Sequence, residues 1–172
     1  MNFYADYVRN KLNAAISSMS SQIEDYVKNP GHDFTRNRKM NFTSTINFLL
    51  TMEGGSLNSE LHKYFNYDLN QITRSGFIKQ RNKLKPDTME YLFHKFHEQI
   101  LCNKKYQGYQ LLACDGSDLN IFRDSKNSST HFVGKEGSFG FNQLHLNALY
   151  DLLNRRYVDA LIQEPNEENE ST

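Results

Sequence analysis

After Tyr109 the spacing of apolar residues changes, and that change divides the chain into two kinds of structure. Upstream, apolar residues recur every three or four positions, the period of a helix with one buried face. Downstream, Leu111–Phe122, Phe141–Leu153 and Tyr157–Gln163 read as strands, the second with partial alternation of apolar and polar residues. The short Asn154-Arg155-Arg156 connection makes the last two an antiparallel hairpin. The expected class is α+β: a helical lobe over residues 1–105, a β segment of three antiparallel strands over 106–163, and a disordered acidic tail over 164–172. A chain of 172 residues holds one ordinary domain or two small ones.

Within the helical lobe, Phe3, Tyr7, Leu12, Ile16, Met19, Ile23 and Tyr26 line one face of a first helix, which Asn29-Pro30-Gly31 is expected to stop. Residues 32–39 are polar and carry three basic side chains. A second helix has Phe42, Ile46, Leu49 and Leu50 as its apolar face and ends at Gly54-Gly55. Ser56 is placed to cap a third helix, and Thr73 or Ser75 a fourth that runs through Phe77, Ile78, Arg81 and Leu84. Asp87 is the expected cap of a fifth, Thr88 to Leu101. The third and fourth helices together have the look of a helix-turn-helix, whose second helix enters the major groove. On that reading Arg74, Lys79, Gln80, Arg81 and Lys83 reach bases or phosphates; plain helical packing is the alternative.

Formal net charge is zero, yet Ser56 to Lys105 holds nine Lys/Arg against five Asp/Glu, and Glu164 to Thr172 holds four Glu and no basic residue. A basic middle segment suits nucleic acid, although solvated helices often show as much. The two cysteines, Cys102 and Cys114, have no metal or redox spacing, and Cys114 in its apolar run reads as a small buried residue. No stretch approaches the ~20 apolar residues of a membrane helix. The N-terminus lacks the apolar core of a secretory signal, so a reduced, cytoplasmic protein is expected.

The run Leu111-Leu112-Ala113-Cys114-Asp115-Gly116-Ser117-Asp118 ends in two carboxylates. An Asp just past a buried strand is fixed by the sheet yet open to solvent or metal. Two-metal nuclease chemistry needs such carboxylates, because they hold divalent ions about 4 Å apart on either side of the reacting phosphate. Asp118, three residues on in an extended chain, faces the other way. An ordinary solvated Asp-Gly turn is the competing reading of Asp115. Asp124, Glu136, Asp151 and Asp159 offer no obvious second ligand, and His32, His131 and His145 are scattered.

The segment from Leu111 to Leu119 resembles the first-aspartate motif of the IS4-class insertion-sequence transposases. The runs His145–Leu152 and Tyr157–Gln163 are similar to the second and third strands of that family's catalytic domain. The segment Ile72–Leu84, ending in Arg81-Asn82-Lys83-Leu84, is similar to its helical DNA-binding region, where Arg-x-Lys-Leu is frequent. The resemblance implies a ribonuclease H-like catalytic domain with a magnesium-binding Asp-Asp-Glu triad. By it, Asp115 matches the first catalytic and metal-binding aspartate. The family's later patterns, near Asp-Arg-Gly and Tyr-x-x-Arg, are not found here. The resemblance therefore implies an N-terminal portion with the first three strands of an incomplete ribonuclease H-like domain. Mg2+ is then a cofactor of the complete enzyme and is not held tightly by this chain, and no strand cleavage or transfer is expected from it alone. The implied partner is double-stranded DNA at the element's terminal repeats. Self-association, or association with a full-length transposase, would cover the sheet's open edge and face. A non-catalytic DNA-binding or protein-interaction module is the alternative.

Overall fold

Helix α1, Phe3–Ser21, buries Ala15, Ile16 and Met19 and leaves Phe3 and Tyr4 exposed. The Asn-Pro-Gly triplet does not end it. Four serines in positions 17–21 weaken the helix, and the Ser21 hydroxyl donates to the Ser18 carbonyl at 2.7 Å. Such local bonds compete with the helical ladder. A 3-10 turn, Ile23–Tyr26, follows. Helices α2 (Phe42–Thr51), α3 (Leu57–Tyr64), α4 (Arg74–Arg81) and α5 (Thr88–Gln99) complete the helical part. Their starts are set by short polar side chains: Asn41 accepts from the Ser44 amide, Ser56 from Ser59 and Thr73 from Gly76. Asp87 precedes α5 but makes no capping bond with its side chain. Helix α2 stops at Thr51, before the glycine pair, and α4 stops before Leu84.

The computed structural model describes residues 3–36, 38–135 and 139–165. The expected acidic tail lies outside these from residue 166 onward, and so does Glu136. The chain forms two compact units, Met1–Leu101 and Cys102–Thr172. Among the described residues, no helix is long and apolar enough to cross a membrane.

The helical unit has two apolar clusters, and α2 contributes to both. Phe42 and Ile46 pack with Ala15, Ile16 and Met19 of α1 and Leu92 of α5. Phe48 packs with Met40, Leu61, Ile72 and Phe77. An isolated antiparallel bridge pairs Val27 with Leu84: the Lys28 amide donates to the Lys83 carbonyl at 2.8 Å, and the Lys85 amide to the Tyr26 carbonyl at 3.0 Å.

The second unit is an unclosed antiparallel sheet of four strands, not three: β1 (Leu112–Ile121), β2 (His131–Phe132), β3 (Phe141–Asp151) and β4 (Arg156–Gln163). The extra strand β2 lies in the stretch expected to be a connection, and two residues are too few to carry a periodicity. Strand β3 is central; β1 pairs along one side of it, and β2 and β4 share the other. Strand β1 is exposed on both faces, so Cys114 is exposed rather than buried.

Among the described residues, those this unit buries almost completely are polar: Thr130, Asn142 and Asp151. The Asn142 carboxamide accepts from the Asp124 amide and donates to the Asp124 carbonyl and the Thr130 hydroxyl, all at 2.9 Å, which ties the 123–130 segment to β3. Asp151 closes β3 and organises the hairpin turn. Its carboxylate accepts from the amides of Leu153 and Asn154 and from the side chains of Asn154 and Gln110. Burial pushes its pKa up, but these donors outweigh burial and bring it down from 3.8 to about 2. A folded-state pKa below the unfolded one stabilises the sheet in full above pH 3.8, and that stability is lost as pH falls towards 2. Asp151→Asn, which replaces one carboxylate oxygen by an NH2 and so leaves two N–H donors unmatched, should weaken the β3–β4 hairpin by about 1–3 kcal/mol at neutral pH. It should also flatten the acid limb below pH 4, as read by amide exchange of β3 and β4.

Candidate nucleic-acid interface

The stretch between the 3-10 turn and α2 is folded by its own polar groups. Asp33 Oδ2 accepts from both the backbone and side-chain nitrogens of Asn29 at 3.1 Å, and the Thr35 hydroxyl donates to the His32 carbonyl. Phe34 sits in the left-handed region at φ 59°, uncommon for a bulky residue, and its ring meets Phe42 edge-on at 5.8 Å. This packing holds the peptide in place and sends Arg36, Arg38 and Lys39 outward, all exposed.

Helix α4 forms the facing wall. Its Phe77 ring packs edge-on against Phe48 at 4.7 Å, which seats α4 against α2. Gly76 is needed at this seat because a Cβ there would lie 2.8 Å from Ile72. With Phe77 turned inward, helical geometry places Lys79 and Gln80 along the side that lines the cleft with Arg38 and Lys39, and Lys83, in the turn after α4, joins them there. The Val27–Leu84 bridge fixes the backbone at Lys83, whose ammonium lies 4.9 Å from the centre of the Phe34 ring.

A cleft of about 560 Å³ lies between these walls, lined by Arg38, Lys39, Lys79, Gln80 and Lys83 over a floor of Ile72 and Gly76. A smaller one of about 220 Å³ shares Arg38, Gln80 and Lys83 with it and adds Arg36 and Asp33. Asp33 is the acidic residue in that lining, and its Oδ2 already holds two N–H groups. The cleft therefore presents a concentrated positive surface on a chain of zero formal net charge.

Of the five side chains expected from the sequence to touch DNA, the structure brings together Lys79, Gln80 and Lys83. Arg74 and Arg81 are exposed, lie seven residues apart and so share another face of α4. Gln80 is 5% exposed: it faces the cleft and does not project from the helix as a groove-reading residue would. The nine residues between α3 and α4 also exceed the three or four of a standard helix-turn-helix turn. Sequence reasoning missed Arg38 and Lys39. The signal available was the basic content of residues 32–39, but nothing local says which later segment they meet.

The sheet does not gather a metal centre around Asp115. This residue lies inside β1, opposite Ala148, which in turn faces Ala160 of β4. It is exposed, and its Oδ1 accepts from the following Gly116 amide at 3.0 Å. Gly116 pairs with Asn147, so the Asp-Gly pair is strand and not a turn. Asp118 is on the opposite face, 3.2 Å from His145 Nδ1. The His145 ring occupies the space a side chain at Gly116 would need. Asp159, next to Ala160, also points away from the Asp115 face. Among the described residues no three His, Cys, Asp or Glu side chains converge to hold a metal ion. The described residues do not fit a two-magnesium centre, and no catalytic step is derived through one. No family model, curated protein or solved structure matches the chain.

The cleft depends on the Phe48–Phe77 contact, which gives a direct test of the packing. Phe48→Ala should destabilise the helical unit by about 3–5 kcal/mol in denaturant titrations, with early loss of α4 amide protection. A cost below about 1 kcal/mol would mean that α4 is seated by something else.

Proposed function

We propose that this chain is the DNA-binding portion of an insertion-sequence transposase, gripping double-stranded DNA through the phosphate backbone with its helical unit. The observation that carries this is the convergence of Arg38 and Lys39 with Lys79 and Lys83, from segments about forty residues apart, around one cleft. In a chain with no net charge, such clustering is not a by-product of overall basicity. Arg74 and Arg81, exposed on another face of the same helix, add positive charge outside the cleft.

Phosphate contacts position a protein on a duplex and release condensed counterions, so binding of this kind is strongly salt-dependent and tolerant of sequence. Any preference for the element's terminal repeats then comes from neighbouring exposed side chains, Arg74 foremost, or from DNA shape. Transposase identity rests on the resemblance of Leu111–Leu119 and Ile72–Leu84 to that family. Strand cleavage and transfer, with their magnesium ions, belong in this proposal to the complete enzyme, because Asp115 stands without carboxylate neighbours on its face of the sheet. That face is apolar, with Leu119 and Ile162 more than a third exposed, which supports association with a second chain. A sedimentation coefficient that does not change with concentration would count against self-association.

The DNA reading is tested by replacing Arg38, Lys79 and Lys83 together with alanine. Affinity for end-closed duplexes of every sequence should fall alike in low-salt gel shifts, and the slope of log K against log salt should shrink by roughly 3. Unchanged affinity and slope would remove the cleft from any DNA contact. Weak binding by the unmodified protein even at low salt would favour a protein-interaction module.

A further inference from the structure

The Gln80 carboxamide lies in the cleft wall, 5% exposed, and its Oε1 is buried without a hydrogen-bond partner. A buried acceptor left unmatched is costly, which makes its position beside four cations informative. Plain electrostatic docking of a duplex does not call for it.

Three properties of the recess define what would fill it. Its volume, about 560 Å³ with a further 220 Å³ adjoining, is in the range of small-molecule sites, so it admits a single nucleotide and not the body of a duplex. Its charge exceeds what one phosphodiester requires: Arg38, Lys39, Lys79 and Lys83 line the larger part. A phosphate monoester, with about −1.5 to −2 charge at neutral pH, matches it better. Gln80 supplies the third property, because a carboxamide pairs with the N–H and ring-nitrogen edge of a base.

We propose that this recess is a binding site for a terminal nucleotide bearing a phosphate monoester, with the phosphate on the lysines and arginine and the base edge on Gln80. The source of that nucleotide, a DNA strand end, rests on the DNA-binding reading above; a free nucleoside monophosphate has the same chemistry. The left-handed turn at Phe34, with Lys83 over its ring, holds the wall in place before a ligand arrives.

The test uses the full chain and fluorescence anisotropy with three versions of one duplex: 5′-phosphorylated, 5′-hydroxyl, and closed at both ends by hairpin loops. Deoxyadenosine monophosphate serves as competitor. The phosphorylated end should bind about tenfold more tightly than the other two, and the mononucleotide should compete away that advantage. Gln80→Met, similar in size without the amide, should narrow the gap between phosphorylated and closed duplexes. Lys79→Ala with Lys83→Ala, at less buried positions, should abolish it even where the Gln80 variant folds poorly. Equal binding of all three duplexes would overturn the end-binding site and leave the DNA reading standing. Binding of the mononucleotide with no duplex bound would support the site and overturn the DNA reading. Binding of neither would overturn both.

Discussion

The edge-on contact between Phe48 and Phe77 is the interaction on which the candidate site depends. Helix α2 has apolar side chains on two sides: Phe42 and Ile46 belong to the cluster built on α1, and Phe48 to the cluster that holds α3 and α4. The eight-residue α4 gains little from helix propensity alone, since short helices are marginal without tertiary packing. Phe77 supplies that packing, and the same rotation that buries Phe77 presents Lys79 and Gln80 to the cleft that Arg38 and Lys39 also line, while the Val27–Leu84 bridge holds Lys83 beside them. Removing the aromatic pair would therefore disrupt the basic cleft several residues away from it.

The sheet unit is held together on a different principle. Asn142 and Asp151 are fully enclosed and fully hydrogen-bonded, and they fix the 123–130 segment and the β3–β4 turn by polar contacts. Such groups give a definite geometry because each donor has one partner, but they contribute less than apolar burial. Several apolar residues of this unit stay well exposed, Leu161 and Ile162 more than half. The sheet has good ladders and a weak core, an arrangement in which acid sensitivity at Asp151 should be visible.

Much of the local structure is legible because its causes are local. Ser56 and Thr73 start helices where their side chains accept from amides three residues on, and the two long runs ending near Asp151 and Gln163 form the expected hairpin. The errors have local causes too. The serine-rich end of α1 stops the helix before the more conspicuous Pro-Gly pair, and β2 is too short to leave a pattern. Asp115 was expected past the end of a buried strand; it lies within an exposed one, because Gly116 and Ser117 continue the pairing with β3 despite the turn-like sequence.

By itself the sequence determined the order of helices and strands, the antiparallel hairpin and the basic character of α4, since periodicity, capping chemistry and side-chain charge act over a few residues. Tertiary structure decided which of those basic residues lie together. It buried Gln80, turned Arg74 and Arg81 to another face, and brought in Arg38 and Lys39 from a segment about forty residues earlier. It also placed Asp159 across the sheet from Asp115, where strand alternation already put Asp118. The physical reason is the same in both places: a face is chosen by what packs against the element, and the partners that pack there are distant in the chain.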